Sequence, residues 1–326
     1  MKVLSKEFIK QFWRVIKATF SSFIDDNGLK LSASLAYYTV FSVAPLLILI
    51  FSLISLLLGH DAINNTLYPE IKEYVGSQAA SQIQEIIKNL HFSGKTGVAL
   101  ITGIVVLLVG ASSMFVEIQD SINIIWRVKA KPKSDWIKLV QNRFLSFSLI
   151  ITLGFLLLVS LIINIAVSAL SEKLAHFLPG LTVLVLAGIN LAITLIVIAI
   201  LFAIIFKVLP DVKIGWHQVR IGAFFTAILF MIGQYLIGLY IHYTAQGSAY
   251  GAAGSIIVIL VWIYYSSAIL YIGAEFTQVY AEATGCHIEP AEYAVHVQQT
   301  EVERVVDKLP PQNPELEGNL KSNDEA

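Results

Sequence analysis

Gly110, Ser113, Glu117 and Asp120 recur at steps of three and four, so on a helix they share one small and polar face. Tyr264, Ser267, Tyr271 and Glu275 repeat the pattern, and Ser34, Tyr37, Tyr38 and Phe41 cluster in a third place. Each stripe lies in or beside a long apolar run, where ionisable groups are costly and therefore face protein or a water-filled cavity rather than lipid. Carboxylates among tyrosines can bind and release protons or pair with a cation, and Arg220 is the nearest candidate cation. Tyr37, Tyr38, Glu117, Asp120, Arg220 and Glu275 are thus the candidate lining of a substrate pocket or coupling site. The plainer reading is that the carboxylates cap helices or bond Arg220 and tie the bundle together.

Gln234, Gly238 and His242 stand at intervals of four, with Gly222 and Thr226 on nearly the same face, so this stripe either lines a pathway or packs closely on a neighbouring helix. Arg127, Lys129, Lys131 and Lys133 form a basic loop that can hold anionic lipid head groups, each contributing about 1 kcal/mol, or can simply fix topology. No P-loop, G-x-S-x-G elbow or H-E-x-x-H helix occurs, and the seven histidines are scattered. No catalytic residue, cofactor or metal is expected, and the chain reads as no enzyme. The one cysteine, Cys286, excludes an intrachain disulfide.

The elements that carry these residues follow from apolar run length. A bilayer core of about 30 Å needs roughly 20 apolar helical residues. Six runs reach or approach that length, at 33–58, 98–116, 144–170, 181–206, 221–241 and 255–272. They lack the alternation of a β-barrel strand. With 56 % apolar and 14 % charged residues, against about 25 % charged in soluble proteins, most of the chain must be solvated by lipid. The expected fold is all-α, a polytopic membrane protein of about six transmembrane helices.

Lys and Arg crowd the N-terminal segment and the second and fourth connections, whereas the third and fifth are nearly devoid of them. Positive loops stay in the cytoplasm, so both termini are expected there. The organisation reads as an amphipathic cytoplasmic helix within 1–30, a six-helix domain over 31–281 with an external loop at 59–97, and an acidic, Pro-containing tail over 282–326 of one short helix followed by disorder. In the first segment Phe8, Ile9, Phe12, Trp13, Ile16, Phe20 and Phe23 form an apolar stripe, suited to the membrane surface or to the end of the bundle. No cleavable signal peptide is expected. The net charge of −1 gives no reason to expect nucleic acid as a partner. Membrane lipids, and a homo-oligomer, are the expected ones.

Four stretches carry a family resemblance. They are Leu31 to Thr39 continuing through Phe41-Ser42 and Ala44-Pro45-Leu46, Asp120-Ser121-Ile122-Asn123-Ile124-Ile125-Trp126, Tyr250-Gly251-Ala252-Ala253-Gly254-Ser255, and Gly273-Ala274-Glu275-Phe276. Together they resemble the YihY/BrkB family of bacterial inner-membrane proteins, over roughly Asp25 to Glu282. The resemblance implies a bacterial plasma-membrane location and a six-span bundle. Family members have been labelled a ribonuclease, a serum-resistance factor and an exporter of lipid A precursors. The residues themselves favour a transporter or flippase-like permease for an envelope lipid or amphiphile. The alternative is a non-transporting scaffold or envelope-integrity protein, and a membrane-bound ribonuclease comes last.

Overall fold

A computed structural model describes residues 6–42, 110, 113–131, 181–245 and 251–298. The expected external loop at 59–97, the span at 144–170, most of the spans at 33–58 and 98–116, Lys133, and the tail beyond residue 298 lie outside the described residues. All the elements below belong to one compact unit, Met1–His296; Val297–Ala326 forms a second.

Six helices lie among the described residues, and the fold is mostly helical. α1 covers Lys6–Asp25, α2 residues 28–42 and α3 residues 113–125. α4 is Leu181–Val208, α5 Trp216–Ala245 and α6 Gly251–Ala283. Within α4 and α5, Gly188–Val208 and Trp216–Ile237 are long and apolar enough to cross a membrane, yet only 17 % and 33 % of these windows are buried. A core helix of a soluble protein would hide such a surface. Here Leu191, Ile196, Ile232, Tyr235 and Leu236 point outward, as they do where the surrounding solvent is lipid.

α4 stops where it does because Pro210 has no backbone N–H and disfavours a helical residue before it. Lys207, in its last turn, donates to the carbonyl of Ile214 and lies 5.7 Å from the centre of the Trp216 ring, so it holds the turn into α5 from both sides. α5 then packs on α4 and α6. Its crossing with α6 is reciprocal: a Cβ on Gly222 would overlap Thr277 Oγ1, and a Cβ on Gly273 would overlap Thr226 Oγ1. Both threonines are fully buried, and each hydroxyl donates to the carbonyl one turn back, Thr226 to Gly222 at 2.7 Å and Thr277 to Gly273 at 2.7 Å. Small residues let the two backbones approach while the threonine oxygens stay satisfied. The lower part of the face read as pathway or packing is therefore a packing face.

α1 lies against α6, with Phe12 edge-on to Phe276 at 6.5 Å, Phe276 stacked on Phe225 at 3.9 Å, and Phe23 buried in the core. Trp13, Phe20 and Ile24 remain exposed on the same helix. The apolar stripe thus divides between the bundle and its surroundings.

Four very short strands depart from the all-α expectation. β1, Val128–Ala130, pairs antiparallel with β4, Ala294–His296, and β2, Val212–Lys213, pairs antiparallel with β3, Glu289–Pro290. α6 closes in a Schellman turn, in which Gly285 takes a left-handed φ of 72° and Cys286 N donates to Ala281 O at 2.9 Å. The chain then turns back across the end of the bundle. Residues 284–298, within the segment read from the sequence as one short helix and then a disordered tail, are short strands and turns after the end of α6. Their backbone groups are satisfied by the loops after α3 and α4, which composition alone does not reveal.

Candidate functional site: a buried acid pair and a carboxylate clamp

Two non-glycine residues among those described have positive φ, Asn27 at 56° and Arg127 at 56°, and they flank one ion pair. Asn27 ends α1 and starts α2: its N–H donates to Ile24 O at 3.0 Å, and its carbonyl accepts from Lys30 N at 2.8 Å. Asparagine tolerates this geometry, whereas an arginine there costs on the order of 1 kcal/mol. Arg127 ends α3 in the same way, donating its N–H to Ile124 O at 3.1 Å. These two turns bring the Arg127 guanidinium onto Asp26 Oδ1, with the Asp26 side chain 4 % exposed and that of Arg127 34 %.

Glu275, on α6, is a second buried acid in this part of the molecule. Glu275 is 1 % exposed and its Oε1 has no hydrogen-bond partner among the described residues. Burial pushes the Asp26 carboxyl above its usual range, against the lowering pull of Arg127. One turn along α6 the buried Tyr271 hydroxyl faces Ser121 and the Glu117 carboxylate on α3, without a completed hydrogen bond. A polar column thus runs between α3 and α6 from Asp26 and Arg127 through Glu275 and Tyr271 to Ser121 and Glu117.

Beside it sits a second centre. Asp211, 2 % exposed, accepts from Gln119 Nε2 at 3.0 Å and from Tyr293 Oη at 3.0 Å on Oδ1, and from Asn123 Nδ2 at 2.8 Å on Oδ2. Its own N–H donates to Asn123 Oδ1 at 2.9 Å and its carbonyl accepts from Ala291 N at 3.0 Å. Burial, and then the Asp211 carboxylate, push the Tyr293 hydroxyl up to about 12. Nearby, Trp126 Nε1 donates to the buried Ala274 carbonyl at 3.0 Å, which ties the end of α3 to α6.

A family model described as Virulence factor BrkB matches residues 19–294, a stretch containing every residue of both centres. The chain belongs to the BrkB family.

This BrkB-family chain is 29 % identical over 290 residues to a UPF0761 membrane protein of Tolumonas auensis, covering 85 % of this chain and 86 % of that one. It is 28 % identical over 257 residues to a UPF0761 membrane protein of Pseudomonas paraeruginosa, covering 77 % of this chain and 59 % of that one, so the match spans about three fifths of that relative. A protein of Bacillus subtilis named putative ribonuclease-like protein YfkH is 28 % identical over 264 residues, covering 80 % of this chain and 92 % of that one. No solved structure matches the chain. It is a membrane protein of the BrkB family.

In this BrkB-family member the sequence-derived candidates separate. Glu275 and Glu117 join the α3/α6 column. Tyr37 and Tyr38 are exposed beside Phe41, as an aromatic cluster on α2 with the tyrosine rings 5.7 Å apart. Asp120 lies on the exposed side of α3, and Arg220 donates from Nε to Trp216 O at 3.3 Å on the surface. The guanidinium that meets the buried carboxyls is that of Arg127, which the sequence reading placed among lipid-contacting cations. The left-handed end of α3 turns it inward, whereas Lys129 on β1 and Lys131 just beyond it are both exposed. Gln234 is exposed, Gly238 is a position on α5, and the His242 side chain lies outside the described residues.

Asp26 and Asp211 were missed. Both sit in turn sequences, Asp25-Asp26-Asn27-Gly28 and Leu209-Pro210-Asp211, where aspartate usually needs no tertiary explanation. The available signal was the amide pair Gln119 and Asn123, which recur at a step of four on α3 and, once buried, call for an acceptor.

Proposed function

We propose that this protein is a permease, flippase-like in class, for an envelope lipid or amphiphile in the bacterial inner membrane. Six spans with both termini in the cytoplasm are part of the proposal. The observation that carries it is the polar column between α3 and α6, in which Glu275, Tyr271 and Ser121 are buried and Glu117 is half-buried. Two of its groups, Glu275 Oε1 and the Tyr271 hydroxyl, have no hydrogen-bond partner among the described residues. Polar atoms left unpaired in such a place cost on the order of 1–3 kcal/mol each, a cost that a purely structural interface avoids and a substrate or ion path uses.

The orientation rests on charge. Arg127, Lys129, Lys131, Lys207, Lys213 and Arg220 all belong to the loops and helix ends that the strand pairs gather at one end of the bundle. Positive residues mark the cytoplasmic side, so the column opens there. Lipid is the natural neighbour of the exposed apolar faces of α4 and α5. The work would come from an ion gradient, a partner or a downhill substrate gradient, with no bond-making chemistry by the protein.

Mass spectrometry of lipids and small molecules purified with the protein tests this, compared with a Glu117→Gln, Glu275→Gln variant of equal stability. Selective enrichment of one envelope amphiphile, lost in the variant, supports a substrate path. The same bulk membrane lipid in both overturns it and leaves a non-transporting scaffold.

A further inference from the structure

We infer that Lys207, Trp216 and Arg220 form a binding site for the head group of one anionic phospholipid, with an acyl chain laid along the outer face of α5. The turn between α4 and α5 assembles it. Lys207 donates to the Ile214 carbonyl and stands 5.7 Å from the centre of the Trp216 ring. Arg220, one turn into α5, donates from Nε to the Trp216 carbonyl at 3.3 Å. Two cations are thus tied to one tryptophan that is itself 56 % exposed. Neither makes an ion pair with a carboxylate among the described residues, whereas Arg127 meets Asp26 and Lys213 meets Glu292. The acid of this turn, Asp211, is buried and accepts from Gln119, Asn123 and Tyr293 instead.

The chemistry of the occupant follows from what continues along the helix. Trp216, Arg220, Phe224, Ile228, Ile232 and Leu236 stand at every fourth position of α5, form one row on its surface, and are all exposed. Hydrogen-bond donors occupy one end of this row, and its apolar part, Phe224 to Leu236, covers about 18 Å at 1.5 Å per residue. One leaflet of hydrocarbon is roughly 15 Å deep, half of the bilayer core. The row therefore matches a molecule with a charged head and a chain of leaflet length, which a free phosphate ion is not. With Nε engaged, the two terminal amino groups of Arg220 have no partner among the described residues, and a guanidinium can donate to two phosphate oxygens at once. Lys207, held by a carbonyl and a ring, adds a second positive charge. A zwitterionic lipid would bring its own ammonium toward these two cations, so an anionic head group is favoured. The site goes beyond the permease reading and stands without it, since neither cation belongs to the α3/α6 column.

The test is native mass spectrometry of the full chain, stripped of lipid in a neutral detergent and titrated with phosphatidylglycerol or with phosphatidylethanolamine of the same acyl chains. The wild type is expected to bind phosphatidylglycerol about tenfold more tightly. Arg220→Gln, a change at an exposed position, should weaken that binding about fivefold, and Arg220→Lys, which keeps the charge without the fork, should recover part of the loss. Equal affinity of the wild type for the two lipids overturns the inference, with no variant needed. Phosphatidylglycerol binding that Arg220→Gln leaves intact also overturns it, and loss of binding in a Lys129→Gln, Lys131→Gln variant would then place the lipid at the loop after α3. Competition by inorganic phosphate at the concentration of the lipid overturns it as well, because the site would then take the free ion.

Discussion

Asn123 and Asp211, 88 positions apart, exchange two hydrogen bonds: the Asn123 amide donates to Asp211 Oδ2 at 2.8 Å, and the Asp211 backbone N–H donates to Asn123 Oδ1 at 2.9 Å. This reciprocal pair fixes the end of α3 against the turn between α4 and α5. Gln119 and Tyr293 also donate to this carboxylate, and the segment after α6 is thereby latched to the same point. The Asp26–Arg127 ion pair depends on this latch, because it places Arg127, four residues after Asn123, over the end of α1.

Asp211→Ala should lower stability by about 3 kcal/mol, since it leaves several buried donors unpaired together. Tyr293→Phe, which removes one half-exposed donor, should cost about 1 kcal/mol or less. Denaturant titration in detergent micelles reads both, and equal small effects would mean that Asp211 is no hub.

At the α5–α6 crossing, Gly222→Ala puts a methyl group onto Thr277 and should destabilise the fold by about 1–3 kcal/mol. Combining it with Thr277→Ala should restore part of that loss, because the opposing side chain is shortened. A double variant less stable than the sum of the two single ones would show that the helices do not cross there.

Stability should depend on pH through Asp26. Burial raises its carboxyl above the ordinary range, so its contribution is fully present below the usual aspartate value and is lost as pH rises through the raised, folded-state value. Thermal unfolding of the wild type should therefore weaken from acidic toward neutral pH and above more than that of Asp26→Asn. Superimposable profiles would remove Asp26 as the source.

Trp126→Phe keeps most of the buried ring but leaves the Ala274 carbonyl without its donor, at a cost of about 1–2 kcal/mol. If chemical denaturation shows no loss, another donor has taken the place of the indole.

The helices and their lipid-facing character were legible from run length, because a membrane helix must satisfy its own backbone and apolar composition follows from that requirement alone. So was the stripe that put Tyr271 and Glu275 on one face of α6, since helical spacing is a local property. Which partners those groups meet was not local. Glu275 was read against Arg220, but α5 turns Arg220 to the surface, while a left-handed residue at the end of α3 swings Arg127 inward. Asp26 and Asp211 looked like ordinary turn residues until α1, α3 and the returning strands β3 and β4 closed around them. The sequence by itself determined the α-helical membrane elements, through the hydropathy and periodicity that each segment carries alone. Only the tertiary structure decided the pairing of charges, because a buried carboxyl takes as its partner whatever donor distant segments deliver, and no spacing rule encodes that meeting.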